Sequence, residues 1–114
     1  MPTKRIYLGI DSHTNLAISL EPTFDGIFNI SLSEGTGGRH VCNFAIAEEA
    51  LEAVLQNKTF KVECSAGDLE ITSWGDQIVF HFRRVGDKEV SSCALGIRSF
   101  LKVMRVAHNR AYAS

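Results

Sequence analysis

No stretch of this chain approaches 18 consecutive apolar residues, so the sequence encodes no membrane-spanning helix. The one apolar segment near the N-terminus, Ile6-Tyr7-Leu8-Gly9-Ile10, is too short for a secretory signal and lacks a small-residue cleavage site. Cysteine is scarce, three residues with wide spacing. An odd, dispersed set argues against a disulfide framework and for free thiols in a reducing compartment, so a cytosolic protein is expected. Excess charge is also missing. The formal net charge is −1 and the pI about 6.4, which sets the chain apart from strongly basic domains. With 45% apolar and 22% charged residues, the composition is that of a folded chain rather than a disordered one. Its 114 residues suffice for a single domain with a genuine core.

What the chain does contain is a script read twice. Residues 6–55 and 60–106 each run through a short apolar strand, a hairpin, a turn, a strand bearing a cysteine, and an amphipathic helix. Cys42 and Cys93 lie 51 residues apart, as do Gly35 and Gly86, Phe44 and Leu95, and Ile46 and Ile97. Self-similarity at a fixed spacing restricts the fold, because each copy must bury the same face. In the first copy Ile6, Leu8 and Ile10 alternate with polar neighbours, and so do Leu16, Ile18 and Leu20, then Phe28, Ile30 and Leu32. Asp25-Gly26 supplies hairpin chemistry between the second and third runs. Ser33–Gly38 is a turn, and a fourth strand spans Arg39 to Phe44. The period then changes. Ile46, Ala50, Leu51, Val54 and Leu55 fall at helical spacing, with Glu48 and Glu49 early, where the helix dipole favours them, and Asn57 as a left-handed stop.

In the second copy, Phe60, Val62 and Cys64 form the first strand. Leu69–Trp74 and Gln77–Arg84 form a hairpin across Gly75-Asp76, whose leading glycine fits a type II′ turn. That turn sets Trp74 opposite Gln77, Ile71 opposite Phe80, Glu70 opposite His81 and Asp68 opposite Arg83. A strand from Glu89 to Leu95 and a helix from Ile97 to about Asn109 complete the unit. The helix carries an apolar stripe of Ile97, Phe100, Leu101, Met104 and Ala107. The expected fold is α+β: a tandem ββββα-ββββα pseudo-repeat of antiparallel sheets with two helices. It forms a single domain over residues 1–114, with halves at about 4–57 and 58–110. Neither half buries its apolar face alone, so the two should pack by a pseudo-twofold, with or without exchange of helices.

Charge is unevenly placed. Residues 1–80 hold five Lys/Arg against eleven Asp/Glu, and residues 81–114 hold seven against two. Arg98, Lys102, Arg105 and Arg110 gather on the last helix. Trp74, Thr72, Val79, His81 and Arg83 should share one outer sheet face, pairing an aromatic with cations as base stacking and phosphate attraction require.

Other constellations read as structural. Ser33–Gly38 joins two strands instead of entering a helix, so it is a hairpin loop and not a phosphate cradle. Asp11-Ser12-His13 is a polar turn, since adjacent residues cannot adopt triad geometry. His40 and Cys42 share a strand face by alternation but give at most two zinc ligands. Cys42, Cys64 and Cys93 fall on inner faces and are expected in the core. No catalytic residue, metal site or cofactor is assigned.

The ββββα element order over residues 4–110 resembles the Whirly family and its relatives, the single-stranded-DNA-binding transcriptional coactivators. The resemblance is one of element order. The lysine-glycine-lysine-alanine-alanine-leucine signature of plant Whirly proteins is absent, so no functional residue is carried over. The resemblance implies nucleic acid lying across outer sheet faces. The favoured function is a non-enzymatic binding module for single-stranded DNA or RNA, with Trp74, His81 and Arg83 as stacking and electrostatic residues and Arg98, Lys102 and Arg105 as a second basic face. A protein-interaction module of immunity, antitoxin or adaptor type, or an obligate homodimer, is the alternative. A small enzyme or small-molecule binder with a site between the halves is the third.

Overall fold

Alternating apolar residues fold into two four-stranded antiparallel meanders, each followed by a helix. The computed structural model describes residues 6–22, 26–35, 37–86 and 88–112. The first sheet comprises β1 (Ile6–Ile10), β2 (Leu16–Pro22), β3 (Ile27–Glu34) and β4 (His40–Ala47), in that order, and leads into α1 (Glu48–Leu55). The second comprises β5 (Phe60–Cys64), β6 (Gly67–Trp74), β7 (Gln77–Arg84) and β8 (Val90–Gly96), and leads into α2 (Ile97–Tyr112). The expected ββββα repeat is therefore present.

One apolar core joins the halves. Ile18, Leu20, Phe28, Ile30 and Leu32 of the first sheet are buried with Leu69, Ile71, Ile78, Phe80 and Phe82 of the second. The inner faces meet directly: the rings of Phe44 and Phe82 pack edge-on with centroids 6.1 Å apart. Each helix is shared between the sheets. α1 packs on β4 and reaches β5 and β6; α2 packs on β7 and β8 and reaches β2. Phe100 anchors α2 against Phe80 at 6.2 Å between centroids. Neither sheet is thus covered by its own helix alone.

The repeat is real, but its spacing drifts. Leu16 and Gly67 pair with Glu34 and Arg84 respectively. The Glu48 amide donates to the Gly26 carbonyl at 2.8 Å, and the Ile97 amide donates to the Asp76 carbonyl at 2.9 Å. The copies therefore correspond 51 residues apart in β2/β6, 50 in β3/β7 and 49 at the helix starts. The β6–β7 and β7–β8 connections are each one residue shorter than β2–β3 and β3–β4. A constant spacing of 51 fails in β4/β8: Phe44 corresponds to Cys93, and Ile46 to Leu95.

Several sequence expectations are corrected. Ile46 lies in β4 opposite Phe28 and not in the helix. A β-bulge between Tyr7 and Gly9 exchanges the faces of β1. Gly9 consequently turns toward Cys93 of β8, and Ile10 becomes 46% exposed. A second irregularity, where Ser33 pairs with His40, places His40 on the outer face, away from buried Cys42. Its Nε2 lies 3.0 Å from Asn43 Oδ1. Leu101 is 47% exposed and does not belong to the α2 core stripe, whereas Phe100 and Met104 do. Cys64 is only partly buried. The Asp25-Gly26 turn falls partly outside the described residues; Gly26 itself has a φ of 71°.

Candidate functional site

The β6–β7 hairpin matches its predicted register at every rung, from Gly67 opposite Arg84 to Trp74 opposite Gln77. Gly75 has a φ of 62° while Asp76 stays at negative φ, the combination a type II′ turn requires. This tight turn leaves Trp74 at the hairpin tip, 77% exposed. Because the Ile97 amide donates to the Asp76 carbonyl, the tip is tied to the first turn of α2. Trp74 and Arg98 therefore share one end of the molecule.

α2 differs from α1 at this end. The first turn of α1 carries Glu48 and Glu49; that of α2 carries no acidic residue. Arg98, Lys102 and Arg105 are exposed on α2. They span about 10 Å along the axis at 1.5 Å per residue. Among the described residues they form no ion pair, so their charge is not locally neutralised. Arg110 lies within α2, and its side chain is outside the described residues.

His81 and Arg83 share the outer face of the second sheet with Trp74, Thr72 and Val79, as the register requires, but lie farther from the tip. Two cross-strand rows meet there: Lys61, Glu70, His81 and Ser92, and beside them Glu63, Asp68, Arg83 and Val90. Lys61 Nζ is 3.8 Å from Glu70 Oε2, and His81 Nδ1 is 2.9 Å from Ser92 Oγ. Lys61, Glu63, Asp68, Glu70, His81 and Arg83 line an open groove of about 330 Å3. Three carboxylates share this groove with His81 and Arg83, which weakens its attraction for phosphate. The six predicted site residues thus fall on two surfaces. These meet at the hairpin tip, and the unneutralised cations lie on the helix side.

One constellation carries more than its sequence announced. Asp11 caps the β1–β2 turn, its Oδ1 accepting the His13 amide at 2.7 Å and the Thr14 amide at 3.2 Å. Its Oδ2 also accepts the Ser92 amide of β8 at 2.7 Å. That bond above all, with the two turn amides, holds the Asp11 carboxyl below the usual carboxylate range against the opposing effect of burial. Thr14 Oγ1 meets Ser91 Oγ at 2.7 Å beside it, and His13 Nε2 lies 3.2 Å from Glu89 Oε2. The polar turn is therefore a clasp between the halves, which a linear reading had no means to see. Among the described residues, no group of three or more His, Cys, Asp or Glu is placed to hold a metal ion. No described helix is long and apolar enough to cross a membrane.

No family model matches the chain. No curated protein matches it either. Among solved structures, it is similar to a chain from the crystal structures of Trypanosoma brucei MRP1/MRP2, with a TM-score of 0.53 and 11% sequence identity. The match covers 97% of this chain and 95% of that one. At this identity the likeness is one of fold, and it extends over nearly the whole chain.

Proposed function

We propose that this protein is a non-enzymatic module that binds single-stranded nucleic acid, with Trp74 as the stacking platform and Arg98, Lys102 and Arg105 as the phosphate track. The observation that carries this reading is the exposed Trp74 at a hairpin tip bonded to the start of a helix whose Arg98, Lys102 and Arg105 form no ion pair among the described residues. An exposed aromatic next to cations is what sequence-tolerant single-strand binding needs. The element order that resembles the Whirly family supports the same reading. His81 and Arg83 serve as a secondary contact, because the carboxylates around them offset part of their charge. The protein's place in this reading is the cytoplasm.

Trp74 is the single tryptophan, so its fluorescence reports on the site directly. Anisotropy of labelled single-stranded oligonucleotides should saturate at low salt and weaken linearly in log[salt]. Trp74→Ala should lower affinity by about 1–3 kcal/mol. Each α2 cation replaced by Ala should reduce the salt slope by roughly 0.7. Absence of saturable binding at low salt rejects the proposal.

The protein-interaction alternative is favoured by one observation, the groove that sets Glu63, Asp68 and Glu70 beside Arg83, which suits a partner with complementary charges. Light scattering after size exclusion separates the two. A homodimer that dissociates at high salt favours this alternative, and a salt-indifferent monomer removes its dimeric form.

A further inference from the structure

The second sheet is ordered β5-β6-β7-β8, so the start of β5, the β6–β7 tip and the end of β8 lie at one end of it, with the tip in the middle. α2 leaves that end on the β8 side and brings Arg98. The residues that lead into β5 close the other side. Thr59, one rung beyond the Phe60–Ile71 pair, has its Oγ1 3.2 Å from Thr72 Oγ1. Ser73 Oγ donates to Asn57 Oδ1 at 3.0 Å. Lys58 is therefore bracketed by two residues tied to Thr72 and Ser73, the pair that precedes Trp74. Its side chain is exposed and forms no ion pair among the described residues. The last carbonyls of α1 are met by backbone: Ala53 accepts the Gln56 and Lys58 amides, and Val54 that of Asn57. Capping α1 thus makes no demand on the Lys58 ammonium.

Trp74 stands between two cation-bearing segments, one before β5 and one after β8. Three strand spacings, about 14 Å, separate those two edges. A base stacked on the indole has a phosphate on either side of it, and each is held best by an unneutralised cation. We infer that Lys58 is the phosphate contact on the far side of Trp74, so that a single strand crosses the hairpin tip from Lys58, over the indole, to Arg98 and along α2. This rests on the nucleic-acid reading above and gives the strand a path and a fourth cation. The other route, from Trp74 down the outer face, meets Glu70, Asp68 and Glu63, which repel phosphate. Asn57 and Thr59 are positioning residues that act through Lys58, holding its backbone at the tip.

The test is anisotropy of labelled oligothymidylate titrated with the full-length chain across a salt series. Lys58→Ala should lower the salt slope by roughly 0.7, and Lys58→Arg should restore it. Quenching of Trp74 fluorescence at saturation should persist in Lys58→Ala, because stacking needs no charge. Asn57→Gly keeps the positive φ but loses the tie to Ser73, so it should weaken binding with the slope unchanged. Lys61→Ala is the control: its ammonium lies 3.8 Å from Glu70 in the groove, and the slope should stay at the wild-type value. Lys58 and Lys61 are both exposed, and circular dichroism confirms that each variant is folded. If the wild type binds saturably and Lys58→Ala keeps its slope, the path is overturned while the nucleic-acid reading stands. A slope lost in Lys61→Ala instead puts the strand in the groove and also overturns the path. Unchanged affinity in Asn57→Gly overturns the positioning role. A wild-type chain with no saturable binding at low salt removes the nucleic-acid reading itself.

Discussion

On the outer face of the first sheet, Ala17, Ser19, Ser31 and Ser33 are all buried among their neighbours and none carries charge. The corresponding positions of the second sheet hold Asp68, Glu70, His81 and Arg83. The inner faces differ in another manner. Ile30 pairs with Phe44 in the first copy, and Phe80 pairs with Cys93 at the corresponding rung of the second. At this rung one aromatic is retained, but it has moved to the other strand. At the neighbouring rung Phe28 with Ile46 corresponds to Ile78 with Leu95, where no aromatic remains. Packing constrains how the core as a whole is filled and not the identity of each residue, as expected of interiors filled to crystal-like density. The outer face of the second sheet is free of such close packing, and there the copies have diverged in charge, with Trp74 added at one tip.

If one core joins both copies, truncating an aromatic that spans it should have the largest effect. Phe82→Ala removes a fully buried ring and its edge contact with Phe44 of the other sheet. A loss of about 3–5 kcal/mol is expected, read from urea denaturation. Because the ring spans both sheets, amide exchange should show protection falling in both copies together. Loss confined to the second sheet would show that the copies fold as separate units.

A second break in the comparison lies at Gly67. The matching residue of the first copy is Leu16, buried in the core. At Gly67, any Cβ would overlap the Arg83 carbonyl oxygen and press on the Phe82 ring. Gly67→Ala should therefore destabilise by about 1–3 kcal/mol through overpacking, although its counterpart tolerates leucine. A neutral result would mean that the β6–β7 pair opens as freely as β2–β3.

These asymmetries show where reading the sequence succeeded. The β6–β7 register was legible because Gly75-Asp76 dictates a two-residue turn and a one-residue slip would expose Ile71, Phe80 and Phe82. Helix positions followed from periodicity, and Asn57, with a φ of 67°, ends α1 as its left-handed tolerance suggested. Alternation alone does not locate Ile10 and His40, because a bulge shifts it by one residue and nothing local marks the bulge. Ile46 fits a helical spacing as well as a strand one, because a strand end and a helix start can share one apolar spacing. Of the site, Trp74, the α2 cations and the cross-strand carboxylates Glu70 and Asp68 could be named, but not Glu63 and Lys61, since β5 joins that face only through its own pairing with β6. The Asp11 clasp depends on a partner 81 residues away.

That clasp has no counterpart of the same chemistry in the second copy, where Ser65-Ala66 forms the corresponding turn. Asp11→Asn keeps the shape but loses charge-assisted acceptance of three amides, and should lower stability by about 1–2 kcal/mol at neutral pH. The sign of the pH effect follows from the lowered carboxyl. The wild-type advantage is full above the ordinary aspartate range near 3.8 and disappears as pH falls through the folded-state value. Stability curves of wild type and Asp11→Asn measured by denaturation should therefore converge below about pH 4. Parallel curves down to acid would assign the effect to shape instead of charge.

The smallest effect tests the pseudo-twofold itself. Glu34 and Arg84 are corresponding residues, each ending its strand, and they meet each other, with Arg84 Nη1 3.3 Å from Glu34 Oε1. Corresponding residues touch where a twofold axis passes between the copies. An identical pair there would set like charges together, whereas the diverged copies place opposite ones. Both side chains are more than 40% exposed, so water and salt screen the pair, and a double-mutant cycle should give about 0.2–1 kcal/mol. The stronger test is exchange. A rotation about the axis maps each residue onto the other, so Glu34→Arg combined with Arg84→Glu should restore most of what either single charge reversal loses. The single reversals create like-charge contacts and should be rescued by 0.5 M salt, while the double variant should respond to salt as wild type does. A double variant no better than the sum of its singles would mean that the surroundings of the two positions have diverged beyond the symmetry that brought them together.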